Sequence, residues 1–210
     1  MNRTTLWSDS FYSFDLSDTI DNNDILKFYE EYRKNHSEGV IRSNRGGWQQ
    51  PIFPYFNADL DNLFRQVNKC CTRVMRNLNA PHTYLTTFGW INSNLKGDFN
   101  EPHTHPGSMW AGVYYIKQKP EMGSIVFTRH ENFSFARMGV ESEVAWEESR
   151  RCKDEQFKLD YEYTPKESEF ILFPSWLEHK VTPNQLDEER LNIAFNFGYE
   201  DVVYLESNVI

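Results

Sequence analysis

The sequence has no long apolar run. None of its stretches approaches the roughly 20 apolar residues of a transmembrane helix. Residues 1–9 also lack the apolar centre of a signal peptide. Cysteine is scarce, since only Cys70, Cys71 and Cys152 occur, and an odd number with an adjacent pair is a poor disulfide framework. We therefore predict a cytoplasmic protein that works in a reducing compartment without membrane attachment.

Basic charge is also in short supply. The chain has 22 Lys and Arg residues against 31 Asp and Glu residues, which gives a net charge of −9. With no excess of positive charge to neutralise phosphates, nucleic acid is not an expected partner. The sequence also contains no GxGxxG, no P-loop and no CxxC pair, so the common nucleotide sites and thiolate zinc sites are excluded.

The first 82 residues predict an N-terminal extension with supporting helices. Residues 6–16 are typical of an extended segment. Helical spacing of apolar residues follows the N-cap-rich residues 21–24 and recurs over residues 57–78. Residues 43–51 predict a loop, in which Trp48 is either a buried anchor or part of a flap over a substrate cleft.

From residue 83 the apolar pattern changes to the alternation that is typical of strands. Two helices followed by eight short strands predict a mainly β fold: a double-stranded β-helix (jelly roll, cupin-like barrel) braced by N-terminal helices. We expect one domain over residues 1–210, with the jelly-roll core at 83–199 and a polar insertion at 129–155 that covers the barrel mouth. The predicted strands are residues 84–92, 101–105, 110–117, 124–128, 157–163, 169–173, 179–182 and 191–199.

His103 and His105 point to a metal site. Residues two apart in an extended chain share one face, so both imidazoles can converge on one ion. A third ligand is then needed, and His179 is the best candidate. Glu101 shares the same face by parity and is an alternative source of a carboxylate.

Arg190 follows His179 by eleven residues and begins the eighth predicted strand. Its guanidinium can hold a carboxylate through two parallel hydrogen bonds. Three ligands beside such a clamp suit an iron centre that binds a keto acid. The alternative is an ion pair between Arg190 and Asp187 or Glu188, which would contribute little if exposed.

Six stretches, in this order and at these strand positions, resemble the non-haem Fe(II)/2-oxoglutarate (2OG)-dependent dioxygenases, most of all their bacterial and phage branch. They are GGWQ (46–49), GDFN (97–100), HTHPGS (103–108), AGVYY (111–115), FPSWLEH (173–179) and RLNIAFN (190–196). The pattern of this superfamily is His-x-Asp/Glu, then a distal His, and an Arg or Lys about ten residues later.

The resemblance implies a role for each matching residue. His103 is the first iron ligand, His179 the distal ligand, and Arg190 binds the far carboxylate of 2OG beside Asn192. His105 departs from the pattern, because it occupies the position of the Asp or Glu ligand. A neutral imidazole there makes the net charge of the Fe(II) site one unit more positive than a carboxylate would.

The implied reaction uses molecular oxygen and Fe(II), releases succinate and CO2 from 2OG, and hydroxylates a peptide side chain or a small molecule. Aromatic side chains that could line this site are Tyr84, Trp90, Tyr114 and Trp176, with Tyr84 and Tyr114 expected near the cofactors; core packing is the competing interpretation for each.

Two other functions are compatible with the residues. One is a three-His cupin-like metalloprotein that does not use 2OG, which the all-His set favours and Arg190 disfavours. The other is a non-catalytic jelly-roll binding domain, since one fold hosts many functions. The sequence is also compatible with a homodimer and does not define the oligomeric state.

Overall fold

Two antiparallel sheets form the framework in the computed structural model, which describes residues 9–80, 85–128 and 160–198. The helices are α1 (Asn22–Asn35) and α2 (Ala58–Asn77). The strands are β1 (Tyr12–Asp15), β2 (Asn44–Arg45), β3 (Trp48–Ile52), β4 (Gly89–Asn94), β5 (Phe99–His103), β6 (Trp110–Lys117), β7 (Ile125–Thr128), β8 (Asp160–Tyr163), β9 (Glu169–Pro174), β10 (His179–Val181) and β11 (Arg190–Phe197).

The strand order is that of a jelly roll. The larger sheet has the order β1-β9-β6-β11-β4-β3, and the smaller sheet has the order β2-β5-β10-β7-β8. The eight strands from β4 to β11 are the predicted eight, and they cross between the two sheets. The predicted fold class is therefore confirmed. The first of these strands begins at Gly89 rather than at residue 84, and the predicted insertion at 129–155 lies outside the described residues.

The two helices cover the outer face of the larger sheet. Each begins at a residue whose side chain accepts a backbone N–H, Asp21 for α1 and Asn57 for α2. The apolar stripe of α2 includes Leu60, Leu63 and Val67, all fully buried. Burying one such side chain contributes about 1.5–3 kcal/mol, so this stripe fixes the helix on the sheet. No helix within the described residues has the length and apolarity needed to cross a membrane.

The predicted loop at 43–51 instead contains β2 and β3. Gly46 and Gly47, with φ of 67° and 66°, make the turn that carries the chain from the smaller sheet to the larger one. A Cβ at Gly46 would clash with the Asp98 carboxylate, and the positive φ also favours glycine there. The Trp48 ring is buried against α1, with the Arg33 guanidinium 4.5 Å from its centre, as expected for a buried anchor.

Successive side chains along the strands of the larger sheet alternate between the face covered by the helices and the face that lines the barrel interior. The apolar side chains at odd positions of β11 join the cluster under the helices. The even positions, from Arg190 to Asn196, therefore face the barrel interior. On β6 the parity is reversed: Tyr114 belongs to the helix-side cluster, whereas Tyr115 packs in the interior with Phe127 and other residues of the facing sheet.

Candidate metal centre and carboxylate clamp

Three histidines meet at one end of the barrel interior. His103 ends β5, His179 begins β10, and the register of these paired strands places the two residues opposite each other. His105 follows two residues after His103. One ring nitrogen from each histidine lies within 4.8 Å of the others, and the Nε2 atoms of His105 and His179 are 3.3 Å apart. The structure thus brings the three predicted ligands together.

Backbone carbonyls orient two of these rings. His103 Nδ1 lies 2.7 Å from the carbonyl oxygen of Glu101, and His179 Nδ1 lies 2.9 Å from that of Leu177. A carbonyl oxygen only accepts, so the proton must be on Nδ1 in both rings. Their Nε2 atoms therefore keep a lone pair, which is the form that ligates a metal. The Ser43 hydroxyl lies 3.4 Å from the Nε2 atom of His103.

Burial favours the neutral form of all three imidazoles. It lowers the pKa of His103, lowers the pKa of His105 to about 4, and holds the pKa of His179 well below its ordinary value. A positive charge on His103 would further oppose protonation of His105 and His179. A lowered pKa reduces the competition between protons and a metal ion for these nitrogens.

Glu101 does not join the histidines. Its carboxylate pairs with Arg45 of the neighbouring strand β2, and both side chains are almost half-exposed. Strand parity predicted that Glu101 shares a face with His103. In the structure, however, β2 pairs with β5 and brings the Arg45 guanidinium to the Glu101 carboxylate. Among the described residues, the cluster that could hold a metal contains His103, His105 and His179.

Arg190 is fully buried at the start of β11 and only partly satisfied. Its Nη1 donates to the carbonyl of Met122 at 2.7 Å and to that of Thr182 at 3.3 Å. Its Nε and Nη2 atoms have no hydrogen-bond partner in the described part of the chain. Leaving buried charged donors unpaired is costly, so this edge of the guanidinium is suited to an anion.

The guanidinium remains charged despite its burial. Burial lowers the pKa of Arg190 to about 10, and the nearby Tyr115 and Asp98 oppose this shift. The alternative ion pairs of Arg190 are wrong, because Asp187 pairs with Lys96 and Glu188 pairs with Lys119 at the surface.

Polar side chains continue from Arg190 across the interior of the larger sheet. Gln49, Asn92, Asn192 and Tyr115 occupy one row, because each is the register partner of the next on β3, β4, β11 and β6. Asn92 Nδ2 donates to Asn192 Oδ1 at 3.0 Å. Such a row is unusual in an apolar core and provides hydrogen-bonding groups beside Arg190.

The prediction that Tyr114 lies near the cofactors needs correction. Tyr114 is fully buried on the helix side, where its hydroxyl donates to Asn22 Oδ1 at 2.7 Å, so it does not reach the barrel interior. The side chain that does is Tyr115, because successive residues of a strand point to opposite faces. Trp90 shares the interior face of β4 with Asn92 and packs against Phe88, whereas Trp176 is 55% exposed. Tyr84 lies outside the described residues.

Sequence reasoning missed Tyr115, Gln49 and Asn196. The parity of Arg190 and Asn192 on β11 indicates that Asn196 shares their face. For Tyr115 and Gln49 the register between neighbouring strands is also needed, and one sequence does not provide it.

Comparisons with known proteins agree with this geometry. Residues 89–196, just over half of the chain, match the family described as "Putative 2OG-Fe(II) oxygenase". A search of curated proteins gives no match.

Several solved structures share the fold. A prolyl-4-hydroxylase from Pseudomonas putida is 13% identical, with a TM-score of 0.62 and coverage of 92% of this chain and 94% of that one. HygX from Streptomyces hygroscopicus, with nickel and 2-oxoglutarate bound, is 14% identical, with a TM-score of 0.59 and coverage of 91% and 84%.

The viral collagen prolyl hydroxylase of Paramecium bursaria Chlorella virus-1, in its 2OG complex, is 11% identical, with a TM-score of 0.58 and coverage of 89% and 94%. At these identities the structural similarities establish the fold, whereas the sequence match covers the three histidines and Arg190. The chain therefore belongs to the 2OG-Fe(II) oxygenase family.

Proposed function

We propose that this protein binds Fe(II) through His103, His105 and His179, binds 2OG through Arg190, and uses molecular oxygen to hydroxylate a peptide side chain or a small molecule. The observation that best supports this proposal is the buried edge of Arg190. Two of its donors, Nε and Nη2, have no hydrogen-bond partner among the described residues, and they lie in the same barrel interior as the three imidazoles.

The three histidines fit a first-row divalent metal. Imidazole suits Fe(II). The backbone carbonyls that face Nδ1 of His103 and His179 leave a lone pair on the Nε2 atom of each ring. An all-imidazole set brings no negative charge to the ion. The ion consequently attracts an anionic co-ligand more strongly than it would beside a carboxylate, and a keto acid supplies one.

Arg190 fits the far carboxylate of 2OG. Nε and Nη2 lie on one edge of the planar guanidinium and can donate two parallel hydrogen bonds to one carboxylate. The hydroxyl of Tyr115 and the carboxamide of Asn192 stand next to each other on paired strands and can add further hydrogen bonds. A dicarboxylate can bind Arg190 through one carboxylate and a metal held by the histidines through the other.

The interior face of β11 connects the two halves of this site. Arg190 is at one end of the strand, and Asn196, on the same face, is near the other. Phe173 packs edge-on against His179 with ring centres 4.7 Å apart, and Phe127 packs nearby. These rings exclude water from the metal ligands and thereby strengthen electrostatic interactions in the site.

The protein's own contribution is binding and orientation. Bound iron supplies the oxygen chemistry, with conversion of 2OG to succinate and CO2 providing the electrons. Arg190 holds one end of the co-substrate, and the carbonyls behind His103 and His179 fix the directions of their rings.

Several features favour a peptide or small-molecule substrate. The net charge of −9 disfavours nucleic acid. The row of carboxamides from Gln49 to Asn192 can hydrogen bond a polar group, such as a peptide unit.

Succinate formation tests the proposed function. Purified protein with Fe(II), 2OG, ascorbate and oxygen should form succinate, slowly without substrate and faster when a peptide or metabolite library contains the substrate. The His179→Ala variant, which lacks a metal ligand, is the matched control and should form none. Equal succinate formation by both proteins would contradict the proposal.

The three-His set also supports a second candidate, a metalloprotein that does not use 2OG. It predicts tight metal binding with no response to 2OG, and it leaves the two free donors of Arg190 without an explanation. A non-catalytic binding domain predicts no metal binding at all. Measuring metal content and 2OG affinity on the same sample separates the three functions.

A further inference from the structure

The outward face of α2 carries a stripe of positive charge. Its four basic side chains are exposed and recur every three or four residues: Arg65, Lys69, Arg73 and Arg76. At about 100° per residue, all four lie within about 80° of the helix circumference. The buried apolar stripe of α2 points in the opposite direction and packs in the core under the helices. The helix therefore holds these four cations away from the core.

This positive charge is concentrated against the charge of the rest of the chain. Residues 62–95 contain the four basic residues of the stripe and no Asp or Glu. The whole chain has a net charge of −9, so removing the +4 of this span leaves −13 for the remainder. The stripe is thus a local basic surface on an acidic protein.

Contacts within the chain account for only part of the stripe. Among the described residues, the ion pair that involves it joins Arg65 to Asp61 at 2.9 Å, and both side chains are exposed. The helix macrodipole stabilises Arg76 in the last turn, but its effect falls off within one turn and does not reach Arg65 or Lys69. Like charges four residues apart also repel one another, and an external anion would offset that repulsion.

The stripe lines a groove. A cavity of about 510 Å³ lies along it, bounded by the four basic side chains together with neighbouring polar groups such as Asn68. The carboxamide of Asn68 is fixed, because it donates to the carbonyl of Thr86 at 3.1 Å and accepts from the amide of the same residue at 2.8 Å. The groove therefore has a defined shape on a helix that the core holds in place.

We infer that this groove is a docking surface for an acidic segment of a partner polypeptide. Successive turns of α2 place the cations about 6 Å apart along its axis. Carboxylates on alternate residues of an extended peptide are about 6.6–6.8 Å apart, so such a segment can pair with the stripe along its length.

Other anionic partners fit this surface less well. A nucleic acid carries continuous phosphate charge, which would also face the −13 of the remaining chain. An anionic membrane surface is disfavoured by the same repulsion. A short acidic peptide places its charge on the stripe alone. The stripe also lies on the side of α2 away from the barrel, so the inference is independent of iron and 2OG.

Fluorescence anisotropy tests the inference with a labelled peptide of alternating glutamate and serine. We expect the wild type to bind this peptide with an affinity that falls as salt rises, because salt screens exposed charges. The Lys69→Glu/Arg73→Glu variant should bind it at least about tenfold more weakly, since each reversal replaces an attraction with a repulsion. No binding by the wild type at low salt would overturn the inference.

A matched control separates the stripe from the overall charge. Lys34 and Lys166 are exposed and lie outside α2, so the Lys34→Glu/Lys166→Glu variant has the same net charge as the stripe variant. It should bind the peptide almost as the wild type does, and circular dichroism should show that both variants fold. An equal loss of affinity in both variants would mean that net charge alone controls binding and would overturn the inference.

Parallel titrations with a single-stranded oligonucleotide and with phosphatidylserine vesicles test the class of partner. Tighter binding to either one than to the peptide, lost in Lys69→Glu/Arg73→Glu, would overturn the assignment to an acidic polypeptide. Succinate formation by this variant in the absence of a partner should equal that of the wild type. A protein that binds the peptide through α2 but forms no succinate would contradict only the proposed function.

Discussion

His103 and His179 lie opposite each other on paired strands, and their ring centres are 4.3 Å apart. The pairing of β5 with β10 therefore places residues 76 positions apart in sequence at one point. Because each ring is held by a carbonyl of its own strand or of the adjoining turn, the site is a direct product of strand register. The following predictions depend on that register.

Replacing His179 by alanine should abolish stoichiometric metal binding and leave the fold intact. His179 is one of three ligands and comes from β10, which lies between β5 and β7 in the smaller sheet. Metal content after dialysis would be measured together with circular dichroism. Full iron occupancy in this variant would remove the three-histidine site from consideration.

Replacing Arg190 by alanine should weaken 2OG binding by at least about 30-fold, since truncating one partner of a buried hydrogen-bonded charge pair costs about 2–5 kcal/mol. Metal affinity should be unchanged, because Arg190 is not part of the histidine cluster. Arg190→Lys is the matched control. It keeps the charge but cannot form the two parallel bonds, so its 2OG affinity should fall between those of the other two proteins. Unchanged 2OG affinity in both variants would rule out the clamp.

Two substitutions test which residue completes the metal site. His105→Asp places a carboxylate at the usual position of the family, so iron binding should survive it. Glu101→Gln should leave metal affinity unchanged and alter stability by less than about 1 kcal/mol, because Glu101 forms an exposed ion pair with Arg45. Metal titration and chemical denaturation check both. Loss of iron in Glu101→Gln, with iron retained in His105→Ala, would mean that Glu101 is the ligand.

The neighbouring residues Tyr114 and Tyr115 offer a matched pair. Tyr115→Phe removes a hydroxyl from the interior near Arg190, and we expect 2OG affinity to fall about 5–10-fold, the value of one hydrogen bond. Tyr114→Phe should leave 2OG affinity unchanged. It should instead reduce the free energy of unfolding by about 1 kcal/mol, since it breaks the bond to Asn22. The opposite result would mean that Tyr114 faces the cofactors.

The sequence predicted the parts of this site that depend on spacing. Strand parity predicted that His103 and His105 share one face. The order and spacing of the motifs indicated His179 as the third ligand and Arg190 as the carboxylate-binding residue. It could not decide between His105 and Glu101, because that choice depends on Arg45 in a strand that was predicted as a loop. It selected Tyr114 over Tyr115, because the face of β6 is fixed only by its register with β11. The free edge of Arg190 likewise depends on Met122 and Thr182, whose carbonyls are brought close only by the fold.

The most direct test of the central claim is an anaerobic titration of the metal-free protein with Fe(II) and then 2OG, followed by visible absorption. We predict a weak metal-to-ligand charge-transfer band that appears only when both are present and is lost in the Arg190→Ala variant at the same 2OG concentration. Tight iron binding with no such band at saturating 2OG would contradict the account.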